Sequence, residues 1–256
     1  MSETPLKVCL ERDGKLLRLT LARPKANIVD AAMIAAMRTA LSEHLSQPHL
    51  QAVILGAEGP HFSFGASVDE HMPELCAAML KSLHALVLQL VESPVPVLVA
   101  VKGQCLGGGL EVVLSGNLIF AAPGAMLGQP EIKLGIYAPA ASCLLPERIG
   151  QAQAEDILFS GRSLTAEEGL RIGLLTAIAV DPDQAALAYY DQYLAPLSAS
   201  AIRFAVQAAR SDVAKRIRAR IDFVEKLYLE ELMATHDAVE GLTAFVAKRA
   251  AVWQDK

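Results

Sequence analysis

Apolar positions along the chain change their period in a way that predicts strands alternating with helices. Lys7–Leu21 reads as two short strands turned at Asp13-Gly14, a dipeptide suited to a hairpin. Past Arg23-Pro24 the spacing becomes helical. Ala31, Ile34, Met37, Leu41 and Leu45 share one helix face, and Asp30 stands where an N-cap accepts the first free amides. Ala52–Leu55 is a short buried strand, ended by the turn Gly56–Pro60. A second helix covers about Pro73–Val91 and stops before Pro94-Val95-Pro96, because a residue preceding proline is pushed out of the helical region. Val97–Val101, Leu118–Ala121 and the shorter Met126–Gly128 read as further strands, with an apolar helix over Leu110–Ser115. This rhythm indicates βα units and a largely parallel sheet. From about Glu147 onward the pattern is helical almost throughout, apart from Thr176–Val180. The predicted organisation is an α/β core over 1–190 and a helical region over 191–256.

Length and composition narrow the picture. A chain of 256 residues buries enough apolar surface to fold without a disulfide or metal. Hydrophobic residues at 53% with few aromatics suit helices packed tightly on a sheet, and subunit interfaces as well. The four cysteines (Cys9, Cys76, Cys105, Cys143) are widely spaced with no CxxC pair, and read as small buried hydrophobes. A net charge of -5 and a pI near 5.7 argue against a nucleic-acid surface. The one basic cluster, Lys215–Arg220, lies in the helical region and reads as a solvated face or a subunit contact. There is no apolar run of about 18 residues or more, and no basic segment leading into an apolar one at the N-terminus. The expectation is a soluble cytoplasmic protein with no membrane and no nucleic-acid partner.

Three segments carry candidate chemistry. Gly107-Gly108-Gly109-Leu110-Glu111 follows a strand and opens a helix, so the backbone can approach a ligand and the helix N-terminus faces negative charge. It could bind a phosphate, stabilise an oxyanion, or serve only as a tight turn. A dinucleotide fingerprint fits poorly, because the glycine spacing is wrong and no acidic residue follows at the required distance. Phe64-Gly65-Ala66-Ser67, about forty residues earlier, offers a second accessible N–H that could meet the first on one carbonyl oxygen. Gly128-Gln129-Pro130-Glu131 places a glutamate in a loop. Alone it would be solvated; with Glu111 it could divide proton transfer, one carboxyl orienting water and the other delivering a proton.

These segments resemble the enoyl-CoA hydratase/isomerase (crotonase) superfamily over nearly the whole chain. Arg23-Pro24-Lys25-Ala26-Asn27, Phe64-Gly65-Ala66, Gly103 through Glu111, Gly128 through Gly135, Gly161-Arg162 through Gly173-Leu174, and Gly241 through Arg249 each resemble a family motif, in order. The resemblance implies an α/β fold of two roughly perpendicular sheets wrapped by helices, with a C-terminal trimerisation region. It places an oxyanion hole at the N–H groups of Ala66 and Gly108, and catalytic glutamates at Glu111 and Glu131. It also implies an acyl-CoA substrate, no separate cofactor and no metal, and a homotrimer or a hexamer of paired trimers. Lys25 and Ala26 match positions that contact CoA. Phe245 and Lys248 match positions from which a neighbouring subunit reaches the nucleotide end.

Two departures refine the expectation. Ser67 stands where the family usually has aspartate. Ile136 through Ser142, with Tyr137 and Pro139, replaces a glycine-rich run, and proline lacks the N–H that helps hold water there. This segment is read as an altered loop lining the substrate pocket, with Tyr137 and Ser142 as candidate replacements for the lost donor. Asn27-Ile28-Val29-Asp30 and the 138–142 segment resemble the branch that hydrates cyclohexa-1,5-diene-1-carbonyl-CoA. The alternatives are a straight-chain 2-enoyl-CoA hydratase or isomerase, and a non-catalytic or RNA-binding relative.

Overall fold

The computed structural model describes residues 4–256. Nine strands follow in chain order: β1 (Leu6–Glu11), β2 (Leu16–Leu21), β3 (Ala52–Ala57), β4 (Val97–Val101), β5 (Gln104–Leu106), β6 (Leu118–Ala121), β7 (Met126–Gly128), β8 (Ser163–Thr165) and β9 (Ala177–Ile178). β1 and β2 form the hairpin expected at Asp13-Gly14, and β2 then pairs parallel with β3, β3 with β4, β4 with β6 and β6 with β9. The resulting sheet runs β1-β2-β3-β4-β6-β9, and a smaller second sheet runs β5-β7-β8. Every residue of β3 and β4 is buried, as continuous apolar runs in a covered parallel sheet require. β5 and β8 were not anticipated.

The helices are α1 (Ala31–His44), α2 (Cys76–Val91), α3 (Gly108–Ser115), α4 (Pro139–Ile149), α5 (Gln151–Ser160), α6 (Ala166–Arg171), α7 (Pro182–Tyr189), α8 (Ala199–Glu230) and α9 (His236–Val246). Asp30 caps α1 by accepting from Met33 N at 3.0 Å. Its pairing with Arg23, 2.6 Å away, holds the Asp30 carboxyl below the usual range. The α1 face of Met33, Ile34, Met37 and Leu41 is fully buried, each side chain contributing about 1.5–3 kcal/mol. α2 starts later than the apolar pattern suggested, at Cys76.

The main correction concerns 136–142. Only 136–138 is loop: Pro139 is the first residue of α4, where its fixed φ is favourable and its missing N–H would have had no partner within the helix. The helical region 191–256 shares the main core through Ile217, Ile221, Val224 and Tyr228 of α8 and Ala238 and Leu242 of α9. On the opposite face of the large sheet, Leu16, Ile54, Leu98 and Phe120 pack with Ala186 of α7 and Tyr190. The four cysteines are free; three are buried as expected, but Cys9 on the edge strand β1 is exposed. Among the described residues no helix is long and apolar enough to cross a membrane.

Candidate active site

The sequence around Asn27 and Ser63 folds two loops against each other. Asn27, buried with φ at 46°, accepts from Arg23 N through Oδ1 and donates from Nδ2 to the carbonyls of Glu58 and His61. Ser63 Oγ donates to Asn27 O and accepts from Gly65 N at 3.0 Å. Leu106 N then donates to Ser63 O at 3.0 Å, tying β5 to the first loop. Buried polar groups in this region are thus mutually satisfied, which gives the two loops a fixed register.

That register brings Ala66 and Gly108 together. A Cβ placed on Gly108 would stand 3.1 Å from Ala66 N and 2.9 Å from Ala66 Cβ, so no side chain fits at this approach. The flanking amides are committed, Gly65 N to Ser63 Oγ and Gly107 N to Gly128 O. Among the described residues, the N–H groups of Ala66 and Gly108 have no protein acceptor. Gly108 is also the first residue of α3, whose N-terminal partial positive charge adds to the two donors. Gly107, at φ 51°, lies so near Glu131 that a Cβ there would come within 2.5 Å of Oε1. Glycine at 107 therefore serves both the turn and the close approach of the carboxyl.

The two glutamates occupy different environments. Glu111, on α3, is 3% exposed, and its Oε1 accepts from Ala141 N at 2.9 Å at the start of α4. Burial raises its pKa, while the Ala141 amide favours its ionised form. Glu131 stands on the 3₁₀ turn Pro130–Leu134, and its pKa is pushed up to about 8, first by burial and then by the charge of Glu111. Buried Gln129 faces the Glu131 carboxylate; with its amide nitrogen turned toward it, it donates at 3.0 and 3.2 Å. Burial thus raises both carboxyls, and the Ala141 amide opposes that rise at Glu111.

A cavity of about 870 Å³ opens beside this constellation, with Gly65, Ala66, Gly107 and Glu131 in its wall. Glu111 is buried and is not part of that wall. Phe245 and Lys248 line the same cavity within one chain. Lys25 is exposed, and the Ala26 carbonyl accepts from Phe64 N at 3.0 Å; both lie next to the cavity rather than in its lining. Tyr137 and Pro139 do not line it either. The Tyr137 hydroxyl donates to Val224 O at 2.6 Å, and Ser142 Oγ donates to Ala138 O, so neither replaces a water-holding donor. Ala141 N, one turn into α4, reaches Glu111 instead. Ser67, Asp69, His71 and Lys133 also line the cavity, and of these only Ser67 stood out in the sequence. Burial lowers the pKa of His71, whose Nδ1 lies 2.7 Å from Ser67 O.

The family model for enoyl-CoA hydratase/isomerase matches residues 11–256. The chain belongs to the enoyl-CoA hydratase/isomerase family. Its fold is the crotonase fold, and it is an enzyme of this family. Cyclohexa-1,5-dienecarbonyl-CoA hydratase of Thauera aromatica is 68% identical over 258 residues, covering 100% of both chains. Carnitinyl-CoA dehydratase of Salmonella arizonae is 32% identical over 256 residues, covering 96% of this chain and 97% of the relative. The crystal structure of an enoyl-CoA hydratase/isomerase from Pseudoalteromonas atlantica T6c superposes with a TM-score of 0.84 at 28% identity, covering 97% and 99% of the two chains.

Proposed function

We propose that this enzyme adds water reversibly to cyclohexa-1,5-diene-1-carbonyl-CoA, giving 6-hydroxycyclohex-1-ene-1-carbonyl-CoA in anaerobic aromatic degradation. The observation that carries the chemistry is the unequal pair of carboxyls beside two uncommitted N–H groups. The choice of ring substrate rests on the full-length similarity to the Thauera aromatica hydratase.

The thioester oxygen accepts from Ala66 N–H and Gly108 N–H, each donor being worth about 3 kcal/mol as negative charge develops there. Polarisation makes the ring carbon β to the thioester electrophilic. Glu111, as carboxylate, takes a proton from water while the water oxygen bonds to that carbon. The displaced electron pair moves through the α-carbon onto the thioester oxygen, and the resulting enolate is conjugated with the second ring double bond. Protonation by Glu131 at the far carbon of that double bond leaves a single ring double bond conjugated with the thioester. Glu111 then releases the proton it gained and Glu131 regains one, by exchange with solvent, so the pair is reset before the next turnover.

No separate cofactor takes part, since coenzyme A is carried by the substrate. Its nucleotide end is assigned to the part of the cavity lined by Lys133, Lys248 and Phe245, with Lys25 and Ala26 as further contacts. The exposed Phe204 and Phe223 on α8 support burial in a homotrimer or a pair of trimers. A cytoplasmic location belongs to the same reading. Parallel kinetics on the cyclic dienoyl-CoA and on crotonyl-CoA test the reading. Efficient turnover of the cyclic thioester is expected, and turnover of crotonyl-CoA alone would overturn it.

A further inference from the structure

Two deeply buried polar atoms near the glutamates lack any partner among the described residues: the hydroxyl of Tyr228 and Nε2 of His84. Tyr228, on α8, is 0% exposed and stands edge-on to Tyr137 with ring centroids 5.4 Å apart. The Tyr137 hydroxyl is already committed to Val224 O and cannot serve it. His84, on α2, is 2% exposed and places Nδ1 2.5 Å from Glu225 Oε2 of α8. Buried donors and acceptors are almost always paired, so two orphans in one region call for a partner.

Their chemistry is complementary. Burial, and then the charges of Cys76 and Glu131, push the Tyr228 hydroxyl far above its ordinary pKa, so it remains a neutral O–H donor. When His84 Nδ1 donates to the Glu225 carboxylate, Nε2 is left as an acceptor. Glu225 and Tyr228 lie one helical turn apart on α8, which packs on α4, the helix whose Ala141 N–H reaches Glu111. His84 lies on α2, which packs on α3, the helix that carries Glu111, so both orphans belong to the surroundings of the carboxylate that activates water. A water molecule, or an alcohol, can accept from one such group and donate to the other.

We propose that the Tyr228 hydroxyl and His84 Nε2 bind the water that is added and the ring hydroxyl it becomes. This assignment rests on the hydratase reading above. Neither residue belongs to the segments that carry the sequence resemblance.

Tyr228→Phe removes one oxygen and keeps the ring, and His84→Asn keeps a nitrogen near Glu225 while removing Nε2. The test compares the affinity of each variant for the hydroxylated product and for cyclohex-1-ene-1-carbonyl-CoA, which lacks the hydroxyl. Expected is a loss of about ten-fold or more for the product, an unchanged affinity for the other thioester, and a comparable fall in kcat. Tm of Tyr228→Phe is expected to hold or rise, since the hydroxyl has no protein partner to lose. Equal effects on both thioesters, no effect on either, or a lowered Tm for Tyr228→Phe would overturn the proposal. Wild-type kinetics separate this from failure of the substrate reading. If the enzyme prefers crotonyl-CoA, the same comparison is made with 3-hydroxybutyryl-CoA against butyryl-CoA.

Discussion

Gly108→Ala isolates the oxyanion site from the carboxyls. Gly108 is not among the residues with positive φ, so alanine is conformationally allowed, and at the head of a helix it is favoured over glycine by up to about 1 kcal/mol. The added methyl nevertheless meets Ala66 Cβ at 2.9 Å and Ala66 N at 3.1 Å. Contact at that distance is relieved only by separating the two loops or by covering the Ala66 N–H, and either removes one donor from the thioester oxygen. Loss of one such donor costs about 2.7–4 kcal/mol, which is about 10²–10³ in kcat. The disappearance of the conjugated dienoyl thioester, followed by absorbance, reads the rate, and a thermal melt reads the fold. The expected result is a rate lowered by about two to three orders of magnitude with Tm nearly unchanged. A folded variant within ten-fold of native turnover would refute the pairing of Ala66 and Gly108 as donors.

Other consequences concern the carboxyls and their surroundings. Glu111→Gln and Glu131→Gln should each lower hydration by about 10²–10⁴ with thioester affinity nearly kept, measured by turnover and by equilibrium binding. Because Glu131 rises from the ordinary 4.5 to about 8, the folded state holds a proton there that the unfolded state releases. Stability from this group is therefore full below about 4.5 and is lost as pH rises toward about 8. Denaturant titrations across that window should show the decline in wild type and a flatter profile in Glu131→Gln, and the hydration rate should fall as pH passes about 8. Tyr137→Phe should cost about 1 kcal/mol of stability through the lost bond to Val224 O and leave kcat within a few-fold. A large kcat loss with unchanged stability would mean that the hydroxyl reaches substrate after all.

Long periodic or continuous apolar segments were legible in the sequence. β3, β4, β6 and α1 fall where their patterns predicted, and Asp30 caps α1 as its chemistry suggests. The Gly107–Gly109 run and Gly65-Ala66 were legible as places of close backbone approach, and the fold sets Gly108 against Ala66. α4 was misread because proline was weighed as a lost donor, whereas at the first helical position that loss carries no cost. The donor that reaches Glu111 is the backbone of Ala141, which no side-chain pattern could reveal. His84 and Tyr228 occupy helix positions that read as core, and only the packing of α2 and α8 brings them to the glutamates. His71 and Lys133 likewise gain meaning only from the cavity they share.

The central claim is that Glu111 delivers hydroxyl to the carbon β to the thioester while Glu131 protonates the far end of the conjugated ring system. Product analysis after turnover of cyclohexa-1,5-diene-1-carbonyl-CoA in water carrying heavy oxygen and deuterium tests it most directly. The account predicts heavy oxygen on the carbon β to the thioester and deuterium on the far carbon of the former second double bond. Deuterium at the carbon α to the thioester, or no incorporation from the cyclic substrate, would contradict it.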